Sequence, residues 1–209
     1  MAVPVQGQVA PQVVGDGTPG IIRLDRSSAV VVSEAHGRYY ESAFRRAIFS
    51  GGNATGVTTS VAFATTYTGL CLSNPIGSSV NLVMNKVNVD FAVAAAAVCV
   101  VGIMTGFNNG TQVVHTTPIA PLSNFIGGPG GQGLLDSACT LPTAPTLRTI
   151  LNFQTATAVT AVNEPTTNMD LEGSIILPPG AYAAIYTSVA SGASGMVASF
   201  QWEEILVSG

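Results

Sequence analysis

Between Ala47 and Leu147 the chain carries only three charged side chains, Lys86, Asp90 and Asp136. An ordinary soluble domain draws roughly a quarter of its residues from Asp, Glu, Lys and Arg. This whole chain holds 9%, at a mean hydropathy of +0.44. Charge on a free surface keeps a protein soluble and suppresses association. A chain that omits it hides its surface against partners or lies in a membrane, and the two options lead to different folds.

A membrane-spanning helix needs about 20 predominantly apolar residues in a row. The longest candidate, residues 91–104 (FAVAAAAVCVVGIM), runs for 14, follows Asp90 directly, ends at Thr105-Gly106 and has no basic flank. Its first half is mostly alanine, so it reads as a buried strand or strand pair, and no membrane partner is expected. The first residues, MAVPVQGQVAPQ, show neither a basic n-region nor a continuous apolar stretch, so no secretory signal is expected.

The 209 residues allow one large domain with a substantial core. With 23 glycines, 12 prolines and abundant Val, Thr, Ala and Ser, the composition predicts an all-β chain rich in turns. A net charge of −4 gives no field for a polyanion, so no nucleic acid is expected, although five of the seven basic residues fall between Arg23 and Arg46. Cys71, Cys99 and Cys139 have no CxxC spacing; Cys71 and Cys99 sit in apolar runs, where a free thiol behaves as a small hydrophobe, and a bridge between two of the three stays open. The two histidines, His36 and His115, are far apart, so no metal is expected.

Residues 1–28 read as an extended N-terminal arm and 29–209 as a β-sandwich domain. Pro4, Pro11 and Pro19 with four glycines prevent a helix in the arm, and Val3, Val5, Val9, Val13 and Val14 make it apolar. Residues 29–32 suggest a short strand. Within 37–49, Tyr40, Phe44 and Ile48 fall at helical spacing and Glu41 precedes Arg45 by four; a short helix or an aromatic-rich strand both fit, and the overall composition tilts the reading to strand. Arg38, Arg45 and Arg46 form a solvated face or meet an acidic partner.

From Val57 onward the pattern is β. Strands are expected over 57–66, 68–72, 80–93, 98–104, 111–118, 147–155, 173–177, 181–189 and 196–207. In the clearest of them, Val83, Val87, Val89, Phe91 and Val93 should share one face, with Lys86, Asn88 and Asp90 on the other. Asn109-Gly110 signals a hairpin returning through 111–118. Residues 119–145, with five prolines at or beside them and the run GGPGGQG at 127–133, read as one long loop of the functional or interacting kind. That run lacks the Lys and Ser/Thr of a P-loop, which argues against phosphate binding. Leu147, Leu151 and Phe153 should share a face, 160–172 should be a polar turn, and Met196, Ala198, Phe200 and Trp202 should line the last strand's inner side. About eight strands at such intervals suit a two-sheet sandwich.

Catalysis needs convergent titratable groups, and here they are scarce. His115 sits in a threonine-rich strand, and Glu203-Glu204, the adjacent carboxylates, would point to opposite faces. No GxSxG, HExxH or calcium-loop pattern occurs. No catalytic, cofactor-binding or metal residue is therefore expected. The sequons at Asn53 and Asn109 carry no weight without a secretion signal.

Residues 177–186 (LPPGAYAAIY) and 199–205 (SFQWEEI), with 68–89 (TGLCLSNPIGSSVNLVMNKVNV) and GRYY at 37–40, resemble small virion proteins of tailed bacteriophages. The resemblance covers about 60% of the chain, mostly 37–106 and 173–207. It implies a jelly-roll type of sandwich and a head decoration or cement protein, non-enzymatic, carried on the capsid surface of the virion and made in the host cytoplasm. The partners it implies are further copies of the chain, as a trimer, and the lattice of the major capsid protein. Interface cores are depleted in charge, which accords with residues 47–147. The alternative is a tail-fibre or receptor-binding module recognising a host glycan, for which Tyr39, Tyr40, Tyr67 and Trp202 would be the aromatic candidates.

Overall fold

The structure is a computed structural model describing residues 37–155 and 166–207. The expected arm at 1–28, the strand at 29–32, His36 and part of the turn at 160–172 lie outside the described residues. The chain divides into two units, Met1–Tyr40 and Glu41–Gly209, and every described strand belongs to the second.

A helix, α1 (Tyr40–Phe44), settles the 37–49 segment as a short helix rather than a strand up to Phe44, and Glu41 and Arg45 close its ion pair at 2.7 Å. Eleven strands follow among the described residues: β1 (Ile48–Gly52), β2 (Thr66–Ser73), β3 (Val80–Phe91), β4 (Cys99–Phe107), β5 (Val114–Ile119), β6 (Leu122–Ser123), β7 (Leu134–Thr140), β8 (Thr146–Gln154), β9 (Thr167–Leu177), β10 (Ala181–Thr187) and β11 (Met196–Leu206). They form a five-stranded sheet, β6-β1-β11-β3-β9, and a six-stranded sheet, β5-β7-β2-β10-β4-β8, with every pairing antiparallel.

Eight of these strands make a nested set. β1 pairs with β11, β2 with β10, β3 with β9 and β4 with β8. The front half of the chain thus runs against the back half in reverse order, folded over into two sheets as in a jelly roll. The remaining three strands, β5, β6 and β7, come from the stretch between β4 and β8 and extend both sheets along one side. Residues 119–145 are therefore not one loop but carry β6 and β7. The segment 111–118 does not return on β4 either: β5 pairs with β7, because both edges of β4 are already taken by β10 and β8. Asn108 instead caps its own turn, its Oδ1 accepting from the amides of Gly110 and Thr111 at 2.9 and 3.0 Å.

The core lies between the sheets, around Trp202, Phe200, Leu82, Met84, Leu70 and Ile103, with Phe49 stacked on Trp202 at 6.2 Å. Met196, Ala198, Phe200 and Trp202 do share the inner side of β11. In β3 the alternation changes phase. A bulge at Asn85 sends Val80, Leu82 and Met84, then Val87, Val89 and Phe91, inward, and leaves Val83 outside the apolar set expected for it. Two bulges in β8 likewise turn Leu147, Ile150 and Phe153 outward while Leu151 packs on the core. The strand expected over 57–66 is not formed: Val57 makes one isolated bridge, to Met196, and β2 begins only at Thr66. β9 begins at Thr167, inside the stretch read as a turn.

Candidate functional site

The two outer faces of the sandwich differ in chemistry. On the five-stranded sheet, Lys86 lies opposite Gln201 and Asp170, and Asn88 opposite Ser199 and Asn168. Asn88 Nδ2 donates to Ser199 Oγ at 3.1 Å. Around these pairs the face is polar, and it holds a cleft of about 450 Å³ lined by Asn53, Asn88, Asp90, Thr166 and Ser199 together with Ala54, Val89, Val197 and Ala198.

The six-stranded sheet's outer face is apolar. Over β7, β2 and β10 it is covered, by a second buried cluster that includes Tyr67, Cys71, Met104, Cys139 and Tyr182, closed by Val113 and Leu141 from the segments flanking β5 and β7. Tyr67 Oη donates to the Ile185 carbonyl at 2.8 Å and Tyr182 Oη to the Thr143 carbonyl at 2.6 Å. Along β8, at the edge of the sheet, large apolar side chains stay exposed. Ile150 is 47% and Phe153 56% exposed, with Leu147 and Val98 beside them. The bulges decide this: they hold the three large side chains of β8 opposite Met104, Gly102 and Val100, all on the outer face. Where β8 and β9 form the two sheet edges, a cleft of about 570 Å³ opens, with Arg148 among its lining and Phe107 and Ile176 exposed along it. Arg148 Nε donates to Thr105 Oγ1 at 3.2 Å.

On the opposite side of the sandwich, β6 exposes Leu122 at 68% and the loop after it exposes Ile126 at 91%. Phe125 between them is held by Phe44, edge-on at 6.5 Å, and by the Arg46 guanidinium, 4.9 Å from its ring centre.

His115 is a strand residue with a partner that spacing could not reveal: its Nδ1 lies 2.5 Å from Oδ2 of the fully buried Asp136. Burial pushes the Asp136 carboxyl up and the His115 hydrogen bond and charge pull it down, burial being the larger effect. Asp136 stands out in the sequence as one of three charges in a hundred residues; that it faces inward under a covered sheet depends on tertiary packing.

Cys71, Cys99 and Cys139 are free and buried. A hydrogen bond with Cys139, burial and nearby negative groups push the Cys71 thiol well up, the opposite of what a reactive thiolate needs. Glu203 and Glu204 do not meet at one site. Glu204 instead holds the glycine-rich run, Oε2 accepting from the Gln132 amide and Oε1 from the Gly133 amide, each at 2.9 Å. The loop amides do bind an anion, and the anion is the chain's own carboxylate. A Cβ at Gly131 would meet Glu204 Oε1, so the carboxylate would have to shift to make room for it. Tyr67 and Trp202 are buried, and of the other aromatic candidates Tyr40 is exposed and Tyr39 half-buried. Arg38 lies over the Tyr39 ring.

Among the described residues no group of three His, Cys, Asp or Glu side chains is placed to hold a metal ion, and no helix is long and apolar enough to cross a membrane. No known protein family, characterised protein or solved structure matches the chain.

Proposed function

We propose that this chain is a non-enzymatic virion structural protein that self-associates and decorates or cements the capsid of a tailed bacteriophage. The observation that carries the reading is the uncovered apolar edge of the six-stranded sheet's outer face, with Leu147, Ile150 and Phe153 of β8 in the open on a chain that holds 9% charged residues. Contiguous apolar surface on a soluble protein marks a protein or membrane contact. Arg148 is the one basic side chain on β8, which is poor provision for an anionic lipid surface. A jelly-roll order of strands hosts many functions and cannot name one by itself; the resemblance of 37–106 and 173–207 to small virion proteins supplies the particular assembly.

The test is binding to undecorated heads built from the capsid protein of the virus that carries this gene. Purified chain should co-sediment with the shells at a fixed ratio to the lattice and appear in negative stain as density over the shell. Absence from shells would overturn the reading, and density at the tail tip would favour the receptor-binding alternative. The cleft that holds Asn88, Asp90, Thr166 and Ser199 is what speaks for that alternative, since amides, hydroxyls and a carboxylate are glycan-binding groups. Among the described residues its lining has no aromatic ring to stack on a sugar.

A further inference from the structure

Cys139 is buried on β7, at 2% exposure, yet the chain that covers it is lightly held. β7 lies between β2 and β5, and β5 ends the six-stranded sheet, pairing with β7 alone among the described strands. His115 of β5 stands opposite Cys139 in the register, and Val113, just before β5, packs in the same buried cluster as Cys139. From Asn109 to Thr117 every residue is exposed except Val113, which is buried, and His115, which is half-buried. The ends of this stretch are fixed: the Asn108 amide donates to the Gly180 carbonyl at 3.1 Å, and Ile119 packs against the main core. Between them the β5–β7 ladder is interrupted twice, at His115/Thr117 and at Thr117/Pro118, and Pro118 brings no amide to it. Ser137 Oγ adds one long bond, 3.5 Å, to the Thr117 carbonyl. Two side chains of the stretch itself therefore tie it down: Val113 in the cluster, and His115, whose Nδ1 meets Oδ2 of Asp136 at 2.5 Å.

We infer that residues 109–117 form a flap, hinged at Asn108 and Pro118 and latched by His115 on Asp136, whose local opening makes Cys139 the thiol that soft electrophiles and small disulfides reach while the rest of the domain stays folded. Segments with few buried apolar contacts and exposed backbone hydrogen bonds open at a fraction of the global free energy, and this one meets both conditions. Opening depends on the fold alone, whatever assembly the chain enters. It leaves β7 as the new edge of the sheet, with its backbone groups free on that side. Cys71 sits one strand further in, on β2, and Cys99 faces the core between the sheets, where its thiol donates to the Val189 carbonyl at 3.4 Å. The flap therefore reaches Cys139 first.

The test is iodoacetamide labelling of the full chain at mildly alkaline pH, in a series of urea concentrations below the unfolding transition. The Cys139 sulfur gives its proton to water, displaces iodide and forms a carbon–sulfur bond; peptide mass spectrometry assigns each labelled cysteine. Cys139 should label before Cys71 and Cys99, at a rate almost flat in urea, because opening the flap exposes little surface. His115→Ala should raise that rate about 10–100-fold, the range for losing a hydrogen bond to a charged group. Gly102→Ala, placed on β4 away from the β5 edge, should lower the urea midpoint and leave the Cys139 rate unchanged. A wild-type Cys139 rate that climbs with urea as steeply as global unfolding would overturn the flap, and no variant is needed to read it. Wild-type labelling in a His115→Ala chain that circular dichroism shows to be folded would overturn the latch. Faster Cys139 labelling in Gly102→Ala, by the factor of its lost stability, would mean that the thiol reacts through global unfolding and would sink the flap as well.

Discussion

Asp136 places its carboxyl where water does not reach, with Oδ2 on His115 and Oδ1 without a hydrogen-bond partner. Because burial raises its folded-state pKa above the unfolded value, the folded protein binds this proton more tightly than the unfolded chain. Its contribution to stability is therefore fully present below the unfolded pKa and is lost as pH rises through the folded one. His115 opposes that loss. His115→Ala should cost about 3 kcal/mol at pH 7, the range for breaking a buried pair, and distinctly less near pH 4, as read by urea titration at both values; Asp136→Asn in the same background should remove the difference. An equal loss at both pH values would mean that His115 acts by packing alone. Glu204 works at the same scale. Glu204→Ala should lower stability by about 2 kcal/mol, as expected for hydrogen bonds to a charged acceptor, and hydrogen exchange should show protection lost at Gln132 and Gly133 with β7 unaffected.

Among the elements, β8 shows most directly how local irregularity sets a surface. A regular strand would put Leu147, Leu151 and Phe153 on one face, and alternation alone leads to that expectation. Bulges depend on how β8 meets β4, which a single strand's sequence does not display, and they swap Ile150 for Leu151 on the outer face. At Gly102 the strands come close: a Cβ there would sit 2.5 Å from the Thr149 carbonyl oxygen and 2.9 Å from Leu147 Cδ1. Gly102→Ala should displace β8, destabilise the domain by about 1–3 kcal/mol as overpacking does, and weaken self-association in the same sample. Retained stability and unchanged oligomer size would show that β8 is not held by that close approach. The phase change at Asn85 in β3 has the same origin, whereas β11, whose apolar residues alternate without a break from Met196 to Trp202, was legible as it stands.

For the whole molecule, pairing the first strand with the last makes nearly every sheet contact non-local. Loop-closure entropy must be met before such contacts form, so refolding should take milliseconds to seconds, well slower than a helical domain of this size, in stopped-flow fluorescence of Trp202. β11 lies between β1 and β3 and carries Trp202 and Phe200 into the core. A chain ending at Ala190 should therefore fail to fold, giving a disordered circular dichroism spectrum; a cooperative melt from that fragment would show that the nested pairing is dispensable. The sequence by itself determined the class: scarce charge, turn-rich composition and period-two alternation leave an all-β sandwich with a buried face as the consistent solution, because those patterns are local and additive. It also placed glycine where a loop must approach closely, without showing what approaches. Only the tertiary structure decided that 119–145 lends strands to both sheets, that Asp136 meets His115, that Glu204 occupies the glycine-run amides, and that Leu147, Ile150 and Phe153 of β8 face outward. Each of these depends on which strand lies beside which, and strand order is fixed by long-range packing that no window of sequence contains.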